Sequence, residues 1–216
     1  MSRTTRRRAV RAVAPVAGLL AAGLLVWQGS YAAFSATTTN QQDSWASGQL
    51  VLKNNGVGTT YSATTATPVI NATNIQPGAS TFVRCITVES SGTLAGTLKF
   101  YRGAITDVNT LAPTFNLSDA INVKVDAAAV TAVQTVDPSC TAGAGTVSFP
   151  GAPTAILPAT ALSSLPTSYA TATTSVAVAA GTQRVAYRLT WSFPSTANDN
   201  SYQAASTKAD LNWEIQ

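Results

Sequence analysis

An all-β fold, an antiparallel sandwich of two sheets, is what the sequence predicts, and three observations carry it. Apolar and polar residues alternate with a period of two over several segments. Gly and Pro punctuate the intervals between those segments. Convincing helical periodicity is missing. Alternation of this kind marks strands with one buried and one wet face, which antiparallel sheets produce. Buried parallel strands read instead as continuous apolar runs.

The first 32 residues stand apart from that pattern. Arg3, Arg6, Arg7, Arg8 and Arg11 crowd the start with no acid among them, and an uncharged apolar run from Val13 to Trp27 follows. Ser30 and Ala32 then supply small residues at the spacing that a signal peptidase reads. A basic start, an apolar middle and small residues at the cut form a secretory signal peptide, residues 1–32, with cleavage between Ala32 and Ala33. The alternative is an uncleaved anchor, but the apolar run is shorter than the roughly 20 residues a membrane span needs.

The sandwich is expected over residues 45–216. Strands are predicted at Gly48–Lys53, Thr81–Glu89 and Thr93–Arg102, with Ser90-Ser91-Gly92 as a hairpin turn between the last two. Ile121, Val123 and Val125 alternate with Asn122, Lys124 and Asp126 as another strand. Asp126–Val133 is Ala-rich and reads as one or two short helical turns. Thr146–Phe149 and Ser175–Ala179 are further strands. Between them, residues 152–174 are rich in Ala, Thr, Pro and Ser. Pro153, Pro158 and Pro166 argue against a helix there, so the stretch reads as a long surface connection packed by Ile156, Leu157, Leu162 and Leu165. Val185, Tyr187, Leu189, Trp191 and Phe193 form one face of a strand, as do Leu211, Trp213 and Ile215. Strands of this number and spacing favour a sandwich of jelly-roll or Ig-like type.

Composition excludes much chemistry. The chain has no His, which removes zinc proteases of the HExxH type, Ser-His-Asp triads and Cys-His dyads. Two Cys cannot build a Cys-rich zinc or iron–sulfur site. The formal charge of +4 first points to a nucleic-acid or membrane partner. Residues 1–32 hold five of the 13 basic residues and none of the nine acids, so the remainder carries 8 − 9 = −1. Nucleic acid is therefore not an expected partner, and membrane contact is expected only during export.

Export also bears on Cys85 and Cys140. An oxidising compartment favours pairing, and two Cys allow one connectivity; the alternative is two free buried thiols. Ala197-Asn198-Asp199-Asn200 is an Asn/Asp-rich loop of the kind that is more often a hydrogen-bonded turn than a calcium loop. Asn71-Ala72-Thr73 and Asn116-Leu117-Ser118 are sequons of the kind a Thr- and Ser-rich chain produces by chance. Arg184 and Arg188 are expected on the wet face of their strand, solvated or paired with Asp210 or Glu214. Trp45, Trp191 and Trp213 are candidates for a sugar platform, although the apolar positions of Trp191 and Trp213 favour core packing. No catalytic residue, metal or cofactor is expected: the carboxylates, such as Asp119 and Asp137, are scattered.

Three segments in order resemble a known family. The first is Ala33-Phe34-Ser35-Ala36-Thr37-Thr38-Thr39-Asn40 with Ser44-Trp45-Ala46-Ser47-Gly48-Gln49-Leu50-Val51-Leu52. Next come Ile75-Gln76-Pro77-Gly78-Ala79-Ser80-Thr81 and Glu89-Ser90-Ser91-Gly92-Thr93-Leu94. The last is Trp191-Ser192-Phe193-Pro194, Asn200-Ser201-Tyr202-Gln203 and Asn212-Trp213-Glu214. Together they resemble the camelysin/TasA family of secreted bacterial proteins. That resemblance implies a jelly-roll-like sandwich and a non-enzymatic role in extracellular fibres of the cell surface or biofilm matrix. It also implies a partner: another copy of the chain, docked head-to-tail. Residues 33–44 would be an extended segment in which Ala33, Phe34, Ser35, Ala36, Thr37, Thr38 and Thr39 donate a strand to the next subunit. Against it stands an intramolecular edge strand or a frayed terminus. A cell-wall or glycan-binding module is the alternative function.

Overall fold

The computed structural model describes residues 48–216 except 65, 66, 80, 131–133 and 197. Eight strands form within them: β1 (Leu52–Asn54), β2 (Phe82–Ser90), β3 (Gly96–Val108), β4 (Asn122–Val130), β5 (Thr154–Ala161), β6 (Ser175–Val178), β7 (Gln183–Ser192) and β8 (Ser206–Ile215). One sheet has the order β1-β2-β7-β4-β5 and the other β6-β3-β8. Every pairing is antiparallel. The two sheets pack face to face, so the expected all-β antiparallel sandwich is what forms.

The period-two pattern explains the core. Ile86, Val88, Val123, Val125, Val185, Tyr187 and Leu189 point inward from the larger sheet, and Leu98 and Phe100 answer from the smaller. The rings of Phe100, Tyr187 and Trp213 meet at the centre, with centroids 5.4 to 6.4 Å apart. Burial pushes the Tyr187 phenol well above its usual pKa.

The second face of the larger sheet is partly covered rather than wet throughout, which the simple reading of its alternation does not anticipate. Residues 135–149 lie over part of that face, and Cys85, Val130, Val136 and Ala186 form a small buried cluster there with Val147 and Phe149. Small residues on that face of β4 and β7 let the covering segment approach closely. The Ala-rich run 126–130 is therefore strand, not helix. Alanine's helix propensity of a few tenths of a kcal/mol per residue yields to pairing with β7 on one side and β5 on the other.

Three further expectations change. Residues 152–174 are not all connection: β5 runs through them, and Ile156, Leu162 and Leu165 are buried as anticipated. Pro158 is accommodated because β5 is an outermost strand among those described and shifts register on either side of Leu157. Ser90-Ser91-Gly92 is no hairpin turn. It carries the chain from β2 in the larger sheet to β3 in the smaller one. Thr146–Phe149 makes only an isolated bridge, Val147 to Val136.

Strand β3 outlasts its predicted end at Arg102. A bulge between Arg102 and Ile105 switches the inward positions from even (Leu98, Phe100) to odd (Ile105, Asp107), which breaks the alternation in sequence while the strand continues. Gly103 sits in the bulge, where a Cβ would lie 3.0 Å from Asn212 and Asp210 of β8.

Candidate functional site

Cys85 of β2 and Cys140 of the covering segment are disulfide-bonded, with Cα atoms 5.2 Å apart. Beside the bridge lie two cross-strand ion pairs. Glu89 and Arg184 are register partners on β2 and β7; Arg184 donates from Nη2 and Nε to one carboxylate oxygen at 2.7 and 2.8 Å. Asp126 and Arg188 are register partners on β4 and β7, joined at 2.8 Å, and Lys124 adds a contact of 3.2 Å. The guanidiniums also lie over aromatic rings, Arg184 over Tyr61 at 4.3 Å and Arg188 over Phe149 at 4.7 Å. Arg184 is therefore largely buried and Arg188 is one-third exposed, and neither pairs with Asp210 or Glu214, which sit on β8 in the other sheet. Burial alone would raise the Asp126 carboxyl. The hydrogen bonds and charges of Arg188 and Lys124 outweigh it and hold the group below the usual carboxylate range. The whole arrangement fastens the cover to the sheet.

Two segments singled out in the sequence meet in space. Residues 49–51 run beside 91–94: Thr93 donates to the Gln49 carbonyl at 2.8 Å, Ser91 to that of Val51 at 3.1 Å, and the Gln49 amide to Thr93 Oγ1 at 2.8 Å. Gly92 is required there because a Cβ would collide with the Gln49 carbonyl oxygen and come within 2.9 Å of the Leu50 Cα. This clamp fixes the point at which residues 48–52 join the sandwich. The expected cleavage site, Ala32 and Ala33, and the candidate donor strand of Ala33, Phe34, Ser35, Ala36, Thr37, Thr38 and Thr39 lie outside the described residues, as does Trp45.

One sheet edge is long and regular. Among the described residues, β8 pairs only with β3. Thr97 and Gln216 exchange backbone hydrogen bonds at 2.7 and 3.2 Å. In an antiparallel ladder the pairs alternate, so the N–H and C=O groups of Ile215, Trp213 and Leu211 point away from β3 along the outer edge. Two inward polar atoms of β8, Thr207 Oγ1 and Trp213 Nε1, are buried without a hydrogen-bond partner. On the outer face, Tyr101 donates to Glu214 at 2.7 Å. That bond, with one from Gln216, holds Glu214 below its usual pKa.

The remaining candidates resolve simply. Asp199 accepts from the Thr196 amide at 2.6 Å and its hydroxyl at 3.0 Å, so its carboxylate is engaged by Thr196. Among the described residues no cluster of three or more His, Cys, Asp or Glu is placed to hold a metal ion. Asp137 is committed to Ser139 and Thr146, whose hydrogen bonds lower its pKa. Asn71 and Asn116 are exposed, but Ser118 of the second sequon is buried with its hydroxyl on Asp107 at 2.7 Å. Trp191 and Trp213 pack in the core cluster.

Compared with protein-family models and with curated proteins, the chain matches none. The disulfide is compatible with an extracellular protein, and among the described residues no helix is long and apolar enough to cross a membrane.

Sequence reasoning passed over Phe82. It is 40% exposed at the start of β2, stacked on Trp191 with centroids 4.3 Å apart. The signal was present: Phe82 is a large apolar residue among Thr, Val and Arg next to a Pro-Gly turn.

Proposed function

We propose that this chain is an exported, non-enzymatic structural protein of the cell surface or extracellular matrix, assembling head-to-tail into fibres as the camelysin/TasA resemblance implies. Cleavage after Ala32 frees residues 33–39, and this segment adds to the outer edge of β8 in a neighbouring subunit. The observation that carries the reading is that edge. It offers backbone donors and acceptors at Leu211, Trp213 and Ile215, and no described strand takes them.

The ends of the sandwich support a polar, repeating contact. Leu50 and Leu94 are exposed near the start of β3, and Val108 and Leu111 at its far end. Thirteen residues of strand separate them by roughly 40 Å. Different apolar patches at opposite ends suit a heterologous interface, which propagates as a filament rather than closing as a dimer. A net charge of −1 after export opposes association little.

The test compares the chain that begins at Ala33 with one lacking residues 33–40. Electron microscopy is expected to show filaments only for the longer chain, with amide exchange at Leu211, Trp213 and Ile215 slowed in those filaments. Filaments that persist after the deletion, or never form with the longer chain, sink the donor-strand reading.

A further inference from the structure

Residues 70–76 and Ala79, with Phe82, Arg84 and Trp191, line an open cleft of about 400 Å³ beside the start of β2. That volume falls within the usual range for small-ligand sites, roughly 300–1,000 Å³. We propose that it binds one acidic pyranose unit of a polysaccharide.

The floor of the site is aromatic and rigid. Phe82 and Trp191 stack at 16° to one another, and Trp191 is 5% exposed, so the exposed Phe82 ring is anchored to the core. The C–H face of a sugar ring packs on such a platform, and the exposed apolar surface of Phe82 is then removed from water. Around it stand Asn71, Asn74 and Gln76, whose side-chain amides hydrogen-bond no other described residue. Each offers an acceptor and two donors, the complement of neighbouring ring hydroxyls.

Charge selects among sugars. Arg84 donates Nη1 to the Val83 carbonyl at 3.0 Å and has no carboxylate partner among the described residues. The lining contains no Asp, Glu or Lys, so the site carries a single uncompensated guanidinium. Its remaining N–H groups match a uronate carboxylate. This inference does not depend on fibre formation, because the cleft lies among β2, β7 and the loop preceding β2 rather than on β8.

Calorimetric titration of the purified chain with trigalacturonate and with maltotriose tests it. Saturable binding of trigalacturonate is expected, with maltotriose weaker. Phe82→Ala is expected to weaken it by about tenfold. Arg84→Gln, at an exposed side chain whose loss leaves the fold intact, is expected to weaken trigalacturonate by about tenfold or more without altering maltotriose. An absence of saturable trigalacturonate binding, or binding unchanged in Arg84→Gln, overturns the proposal. Equal affinity for the two sugars overturns the acidic selectivity.

Discussion

On the five-stranded sheet, one outer strand, β1, is three residues long, and the other, β5, has two register shifts, one of them at Pro158. On the three-stranded sheet, β8 runs ten residues with neither Pro nor Gly. The faces differ in the same sense. The larger sheet is covered on one side by the smaller sheet and in part on the other by residues 135–149, whereas the smaller sheet turns a polar face outward with Lys99, Tyr101, Asn212 and Glu214. Proteins blunt sheet edges to avoid unwanted pairing. The smaller sheet's other outer strand, β6, is only four residues long, so among the described outer strands β8 is the one that is both long and free of proline and register shifts.

The largest effect is expected from the cover. Replacing both cysteines, Cys85→Ala with Cys140→Ala, releases a loop of 55 residues and should cost about 4 kcal/mol in the chain-entropy account. Urea unfolding measures the loss, and amide exchange shows where it falls. Amides of β2 and β7 should open well before those of β3 and β8. Uniform loosening of both sheets would mean that the cover supports the whole sandwich rather than one side of it.

Next comes Asp126, 3% exposed between Arg188 and Lys124. Asp126→Asn leaves the Arg188 guanidinium beneath Phe149 without its counter-charge. Breaking a fully buried pair costs about 3–5 kcal/mol, and the partial exposure of Arg188 brings this to about 2 kcal/mol. The pH dependence has a definite sign. Because the folded pKa is depressed, the stabilisation is complete above the unfolded value of about 3.9 and is lost as pH falls through the folded value. Stability of the variant should therefore decline less than that of the native chain below about pH 4. Parallel acid curves for the two proteins would show that Asp126 is not a source of the acid sensitivity.

Strand alternation made the sandwich legible, because a face of Val185, Tyr187, Leu189 and Trp191 has no other economical home. Legibility failed where a local rule met a tertiary one. Ala127 and Ala128 read as helix because nothing local reveals that a second layer lies above β4. Arg184 and Arg188 read as solvated for the same reason: a charge on an alternating strand looks identical whether water or a covering loop lies over it. The Gly103 bulge hid the second half of β3 by shifting its parity. Of the candidate sites, the disulfide was readable from compartment and count, whereas the Phe82 cleft was not, since it joins residues 70–76 to β7 across more than a hundred positions.

Gly92 offers a smaller and more local test. Gly92→Ala places a methyl against Gln49 and Leu50, and overpacking of this kind costs about 1–3 kcal/mol. The strain has a cheap outlet, since residues 49–51 are held by only a few hydrogen bonds. Global stability is then expected to fall by about 1 kcal/mol, at the low end of that range, while limited proteolysis near Leu50 accelerates. Unchanged proteolysis would show that the clamp yields elsewhere and that the entry of residues 48–52 is not set by Gly92.

The smallest energetic effect, and the sharpest comparison of the two edges, comes from Pro158. It lies exposed on β5, so Pro158→Thr removes no core contact and should change stability by only about 0.5 kcal/mol. What it restores is a backbone N–H on an outer strand, in a residue with high strand propensity. If β5 is silent because proline blunts it, the variant should self-associate more readily, and light scattering should detect species that persist when residues 33–40 are deleted. If the register shifts alone are enough to silence β5, the variant will scatter like the native chain. In that case strand regularity, rather than the missing donor, is what separates β8 from β5.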